Sequence, residues 1–416
     1  MSVGERRGFA LILVLALTMR VGAALYLGNT VSGLSGAQDE VSYSELGHRY
    51  AEGHGLTFPR NWYPWIKADA PQSYYSASMS LLLAGIYTVF GYKPLVARLL
   101  FAGLGTGVVA MVYLLARRLF DQRVATVAGL ISAVYAYLVF YSVTLVTETP
   151  FTLALLISIY LAYDLRREDR LRTWIGLGIT LAITLLFRMA VIFFTPGLLG
   201  WIAFTQRKHL WRLSIPVWII IVAVAPFTYE NHERWGRFLL LEAQFGHVFW
   251  NGNHPGHNWD FHPYQTFRIP AEVLASNNDA AITAELLRMG IQNVTSAPLH
   301  FMVLTATRLR EFFTFWPTQD STLAANTLRI TSFGAVLPVA LLGLWLTLSN
   351  WRRLLPVYLF LALHTGVYAL TWTMIRYRVP MDTFFVIFAA VGLIGLVCRM
   401  RQGRWYDEAP SELVAN

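Results

Sequence analysis

Near the start of the chain stands "GFALILVLALTMRVGAALYLG", an apolar run interrupted by one charge, Arg20. As a helix at about 1.5 Å per residue, a run of roughly 20 residues crosses the ~30 Å hydrocarbon layer of a bilayer. Apolar runs of similar character recur almost to the C-terminus. Inside lipid every backbone polar group must be paired within its own segment, so such runs are helices. The composition agrees: 56% of the residues are hydrophobic and only 14% charged, against about a quarter charged in soluble domains. The sequence therefore predicts an all-α polytopic membrane protein. The first run is too long for a signal-peptide core and lacks a cleavage site, so it reads as a retained span.

The formal charge of +9 would suggest nucleic acid in a soluble protein. Here many of the cations sit in short clusters between apolar runs, where they set topology, and no nucleic-acid partner is expected. The clusters are Arg6-Arg7, Arg117 to Arg123, Arg166 to Arg172, Arg207 to Arg212, Arg352-Arg353 and Arg399 to Arg404. Placing all of them in the cytoplasm requires an even number of crossings between neighbours. Crossings at 9–28, 94–116, 124–142, 148–165, 173–189, 190–206, 213–229, 328–348, 354–374 and 379–398 satisfy this, about ten in a range of 10–13. Two apolar helices, 75–91 and 298–316, are left over and are expected at the outer face, in the interface. The chain then divides into a membrane module, 1–230, with an outer loop at 29–93; a second outer loop, 231–327, with an interfacial helix; and C-terminal membrane helices with a short cytoplasmic tail, 328–416.

Loops of that length are functional when ordered, and these are rich in aromatic residues, Gly and Pro. Cys398 is the single cysteine, which excludes an intrachain disulfide and a Cys-based metal site. No internal repeat is evident, which weakens a repeat-built transporter.

Asp39 and Glu40 open "DEVSYSELGHRYAEG", a stretch that puts Tyr43, Leu46, Gly47 and Tyr50 on one helical face. Asp39 reads equally as a helix N-cap or as a base for a hydroxyl. Glu148 in "TETPFTLAL" reads as a helix start or as a second site carboxylate sharing that membrane face. Arg376 and Arg378 lie in "TMIRYRVPMDTFF" on the outer side, against the positive-inside trend. Guanidinium forks there suit phosphate oxygens, or else snorkel to headgroups. Arg188 and Arg20 complete the cationic set, each open to the same two readings. Asn231, Asn251, Asn253 and His254 fall in a segment whose turn chemistry comes first and whose amides and rings also suit sugars. No His pair has helical ligand spacing, so a divalent metal is admissible but not favoured, and no cofactor is certain.

Four stretches in this order resemble the GT-C superfamily of polyprenyl-phosphate-sugar-dependent glycosyltransferases. They are "AQDEVSYSELGHRYAEGHG", "ARLLFAGLGTGVVAMVYLLARRLF" followed by "TETPFTLAL", "APFTYENHERWGRFLLLEAQFGHVFWNGNHPG" and "RYRVPMDTFFVIFAAVGL". The resemblance is to the bacterial branch related to protein O-mannosyltransferases, the lipid A aminoarabinose transferase and lipopolysaccharide-core sugar transferases. It implies a GT-C fold of seven spans with in-plane helices in the large outer loops, in the plasma (inner) membrane of a prokaryote. The site it implies opens to the periplasmic or extracellular side. It implies Asp39 as catalytic base, with Glu40 beside it and Glu148 as second acid. Arg376, Arg378 and Arg188 would bind the donor phosphate, and Tyr43, Lys67, Asn231, Asn251, Asn253 and His254 would line the substrate side. Its partners would be a polyprenyl-phosphate-sugar donor, membrane lipids, and a glycolipid, polysaccharide or protein acceptor. The sequence departs from the family at "ADAPQSYYSASMS", where Pro71 lacks a second proline and Lys67 lies four residues earlier. The competing readings are a lipid-linked sugar flippase or transporter, and a metal-using transferase built on Glu148 and the loop histidines.

Overall fold

A computed structural model describes residues 2–34, 36–318, 321–402 and 405; the last part of the basic cluster at Arg404 and most of the C-terminal tail fall outside the described residues. The regular elements of the described residues are helices, with α1 (Val3–Leu27), α2 (Asp39–Ala51), α3 (Ala77–Phe90), α4 (Pro94–Leu119), α5 (Gln122–Val134), α6 (Ala136–Tyr141), α7 (Glu148–Leu165), α8 (Leu171–Phe187) and α9 (Phe194–Thr205). There follow α10 (Ser214–Trp235), α11 (Gln244–Gly252), α12 (Ala271–Leu274), α13 (Asp279–Ser296), α14 (Pro298–Phe312), α15 (Leu323–Arg329), α16 (Ala335–Thr347), α17 (Trp351–Leu370) and α18 (Val379–Gln402).

Each expected apolar crossing falls on one of these helices or on a broken pair, and the protein is a multi-pass membrane protein. The expected single crossing at 124–142 is broken into α5 and α6 at Tyr135, which is extended. The Arg20 guanidinium, buried in the bundle, donates to the carbonyls of Ser132 and Ala133 at 3.3 and 3.1 Å. It thereby satisfies the open end of α5. Arg20 thus serves a helix end, which answers the question its place in an apolar run raised.

The leftover segments are helical as expected, α3 and α14. At 14 and 15 residues they reach about 21–23 Å, short of the ~30 Å hydrocarbon layer. The second large loop holds more than one helix: α11, α12 and α13 precede α14. Asp279, at the start of α13, ties this loop to the first. Its carboxylate accepts from Trp65 Nε1 and from the Ser73 amide, both at 2.7 Å.

Central to the bundle is α18, packed on α16 and α5. A Cβ on Gly343 would fall 1.8 Å from the Phe388 carbonyl oxygen, and one on Gly392 2.2 Å from that of Val339. The two helices therefore touch backbone to backbone, a contact that small residues permit in membranes.

The basic clusters gather at one end. Arg117 pairs with Glu5 at 3.3 Å, Arg118 with Asp164 at 2.9 Å, and Arg212 with Asp169 at 2.9 Å. Arg353 donates to the Arg118 carbonyl at 3.3 Å. This gathering is what a common side for these clusters requires. The opposite helix ends, the start of α7, the ends of α8 and α17 and the start of α18, carry the polar residues described next.

One buried ion pair locks α2 onto α4. Arg98 clasps both oxygens of Glu40 at 2.5 and 3.2 Å, and the Leu145 amide donates to Glu40 Oε2 at 3.1 Å. Both side chains are fully buried. Removing one partner strands a buried charge, at a cost of about 3–5 kcal/mol. Arg98→Met should therefore lower the thermal unfolding midpoint sharply, and Arg98→Met with Glu40→Leu should recover most of the loss.

Candidate active site

The start of α7 carries Glu148, the turn after α8 carries Arg188, and the short turn before α18 carries Arg376. All three line one cavity with Asp39, at the start of α2. Arg376 is the hub: its NH2 donates to Asp39 Oδ2, and its Nε lies 3.6 Å from Glu148 Oε1. Arg188 donates to the same Glu148 oxygen at 2.6 Å and to the Tyr368 hydroxyl at 2.8 Å. The Tyr377 ring lies between the cations, 4.9 Å from the Arg188 guanidinium and 5.1 Å from that of Arg376.

Asp39 is the first residue inside α2, not its N-cap; that position is Gln38, and no side chain caps the helix. The capping reading therefore does not account for Asp39, whose carboxylate is turned to Arg376 instead. Glu148 is 1% exposed, yet its Oε2 has no partner among the described residues. A buried carboxylate oxygen without a donor is costly, so this atom is available to a ligand.

Two cavities meet at the Asp39–Arg376 pair, which lines both. The first, about 340 Å³, adds Tyr43, Glu148 and Arg188 to an apolar wall that includes Phe187, Ile192, Phe193 and Phe245. The second, about 520 Å³, includes Asn251 and is ringed by aromatic side chains.

Other expected site residues stand elsewhere. Glu40 lines neither cavity, since Arg98 holds it in the core. Arg378 is fully buried, with its Nε 2.9 Å from Asp382 Oδ1 and NH1 donating to the Phe312 carbonyl at 2.9 Å. It points into the bundle rather than into a cavity, because Asp382 one helical turn later is its partner. Lys67 is exposed beside a third, separate cavity. Asn231 holds the chain at 239–241 by donating to the carbonyls of Leu239 and Leu241 at 3.2 and 3.0 Å. Asn253 accepts from Arg308 at 3.0 Å, and His254 accepts from the Gly256 amide at 3.1 Å while stacking on Phe267. These three serve turns and helix ends.

Sequence reasoning passed over Glu242, Tyr377 and Arg308. Glu242 lines the first cavity. Its signal was present: it is the lone acid in "RFLLLEAQF". Burial pushes its carboxyl up to about 7, opposed by the Arg188 guanidinium and reinforced by the Asp39 carboxylate. Arg308 donates to the carbonyls of Ala369, Gly252 and Thr371 at 2.6, 2.6 and 3.1 Å. It fixes the end of α17, from which the Arg376 turn hangs. Among the described residues no three His, Cys, Asp or Glu side chains converge to hold a metal ion.

The helical bundle with its acid–arginine cluster is similar to membrane glycosyltransferases, in sequence over part of the chain and in fold over nearly all of it. Residues 78–229 match the dolichyl-phosphate-mannose-protein mannosyltransferase family. Among solved structures the chain is similar to the Archaeoglobus fulgidus oligosaccharyltransferase tethered with an acceptor peptide, with a TM-score of 0.58 at 12% identity over 97% of this chain and 51% of that one. It is also similar to archaeal oligosaccharyltransferase AglB from Archaeoglobus fulgidus in complex with an inhibitory peptide and a dolichol-phosphate, with a TM-score of 0.59 at 13% identity over 99% of this chain and 53% of that one. At such identities the likeness is one of fold. The chain spans about half the length of these oligosaccharyltransferase chains. No curated protein matches the sequence.

Proposed function

We propose that the protein is an inverting glycosyltransferase that moves a sugar from a polyprenyl-phosphate donor to an acceptor hydroxyl at the outer face of a prokaryotic plasma membrane. The observation that carries this reading is the meeting of two cavities of different character at one carboxylate–guanidinium pair, Asp39 and Arg376. The apolar cavity with Arg188 and Arg376 suits a phosphate on a lipid tail. Asp39 faces the second cavity, from which an acceptor hydroxyl arrives.

A donor phosphate entering beside Arg376 competes with Asp39 for the guanidinium. The exchange frees the carboxylate to take a proton. The acceptor oxygen then attacks the anomeric carbon, the bond from that carbon to the phosphate oxygen breaks, and its electron pair leaves with the polyprenyl phosphate. The proton of the acceptor passes to Asp39. Arg376 and Arg188 stabilise charge growing on the leaving phosphate, in a site with little water to screen it. Glu148 holds both guanidiniums in place.

Glu242 gives this scheme a pH dependence. A carboxyl held at about 7 is mostly protonated at pH 6 and mostly charged at pH 8. Its charged form repels an anionic donor. Donor affinity should thus fall as pH rises through about 7, and Glu242→Gln should flatten the profile. The same group's stabilisation of the fold is full below its ordinary value of 4.5 and is lost as pH rises through about 7. Titrating a polyprenyl-phosphate sugar, whose phosphodiester keeps one charge over this range, onto purified protein at pH 6, 7 and 8 measures the first effect; affinity that rises with pH contradicts it.

The test of the reading itself is transfer from a radiolabelled polyprenyl-phosphate sugar by the protein in nanodiscs. Release of a glycosylated product with inverted anomeric configuration is expected. Movement of donor across vesicles with no new glycosidic bond would overturn the reading in favour of a flippase.

A further inference from the structure

The second cavity has a lining unlike the first. Trp62, Tyr63, Tyr264 and Trp372 bound it, and the amides of Gln38 and Gln244 stand among these rings, while the buried Asn251 amide holds the loop by accepting from the Phe267 amide at 3.0 Å. Tyr63 is 49% exposed and Tyr264 58%, so both present ring surface that none of the described residues covers. Apart from Asp39 and Arg376, which pair with each other, no lining residue carries a full charge. His247 is neutral at physiological pH, because burial holds its imidazole down at about 4; its Nδ1 lies 2.9 Å from the Tyr74 hydroxyl.

We propose that this cavity binds a neutral saccharide as the acceptor and presents one of its hydroxyls to Asp39. The assignment rests on the glycosyltransferase reading and adds the chemical class of the acceptor. A sugar ring offers an apolar C–H face to an aromatic ring and a rim of hydroxyls that both donate and accept. Side-chain amides match that rim, since each carries donors and an acceptor. The volume of about 520 Å³ falls within the ~300–1,000 Å³ usual for small-ligand sites.

The lining argues against two other acceptor classes. A phosphorylated headgroup would bring anionic charge into a cavity whose one guanidinium is engaged with Asp39 and is needed by the donor. Charge buried without a partner is expensive. An extended peptide is recognised chiefly through main-chain hydrogen bonds to an open edge. Here α2 and α11, whose backbones are paired internally, supply one part of the wall, and the side chains of loop residues such as Trp62, Tyr63, Tyr264 and Trp372 supply the rest. The Trp62–Ile66 segment folds back on itself, with Trp62 N donating to the Ile66 carbonyl at 2.7 Å and Ile66 N to that of Trp62 at 3.0 Å.

Saturation-transfer NMR on the full chain in nanodiscs tests the assignment. The probes are neutral tetrasaccharides of glucose, mannose and galactose, a 6-phosphorylated tetrasaccharide, and a Ser/Thr-containing octapeptide. At least one neutral tetrasaccharide should receive saturation from aromatic protons. Its Kd should rise about tenfold in Tyr264→Ala and stay near the wild-type value in Tyr264→Phe, which keeps the ring. Each variant is also titrated with undecaprenyl phosphate, whose retained affinity reports an intact fold. Binding of the peptide or the phosphorylated sugar in preference, binding of no neutral sugar, or an unchanged Kd in Tyr264→Ala each overturns the proposal. Undecaprenyl phosphate that binds without any neutral sugar binding removes this inference alone. Saccharide binding without lipid binding removes the transferase reading instead.

Discussion

Asp39→Asn is expected to lower sugar transfer by about 10²–10⁴-fold, the range over which a positioned base contributes, while donor binding is kept or tightened. The sign of the binding effect follows from the geometry. Asp39 occupies one arm of Arg376, and a neutral amide competes less well than a carboxylate for a guanidinium that must receive phosphate. A lone reduction in turnover with tighter donor binding separates this role from a structural one. Asp39 caps no helix and is 29% exposed, and Arg376 keeps Glu148 beside it, so the unfolding midpoint should fall less in Asp39→Asn than in Arg98→Met. Turnover like that of the wild type in Asp39→Asn removes the base assignment.

Arg376→Ala is expected to cost both donor affinity and turnover, about 10²–10³-fold in transfer, as for loss of one electrostatic donor to a leaving oxyanion. Arg376→Lys should not restore it. The guanidinium reaches Asp39 with one nitrogen and faces Glu148 with another, a planar fork that a single ammonium does not reproduce. The variant also leaves Asp39 and Glu148 as neighbouring carboxylates, so its unfolding midpoint must be measured alongside its kinetics. Arg378→Ala is the contrasting case. Its partner Asp382 is 1% exposed, and stranding that charge should cost about 3–5 kcal/mol of stability. Little folded Arg378→Ala, set against folded but inactive Arg376→Ala, is the expected outcome. Equal kinetic damage with equal stability in the two variants would show that the division between them is wrong.

How far the sequence was readable depends on what each feature needs. The helical elements of the bundle were legible because hydropathy and charge placement act locally, segment by segment. The helices at 75–91 and 298–316 were legible for the same reason. The break at Tyr135 was not, because Arg20, which pairs the carbonyls it leaves open, lies more than a hundred residues away in sequence. The helices of the second loop, α13 above all, were hidden because their apolar faces pack chiefly on one another within that loop rather than on lipid.

The site divides in the same way. Arg376 and Arg378 are two residues apart and look alike in sequence. The turn at Ile375–Arg378 directs one to Asp39 and the other to Asp382, and only that turn assigns them different partners. Asp39 and Glu40 are adjacent carboxylates on a helix, about 100° apart around its axis. That angle sends one to the cavity and the other to Arg98. The chain by itself determined that it is a helical membrane protein, where its cations gather, and which acids and arginines were available, because these follow from composition and local pattern. Which member of each pair faces a cavity, and that Glu242 and Tyr377 join them, was decided by tertiary packing. Those choices depend on helix rotation and on contacts between residues far apart in sequence, and neither is encoded in any single stretch.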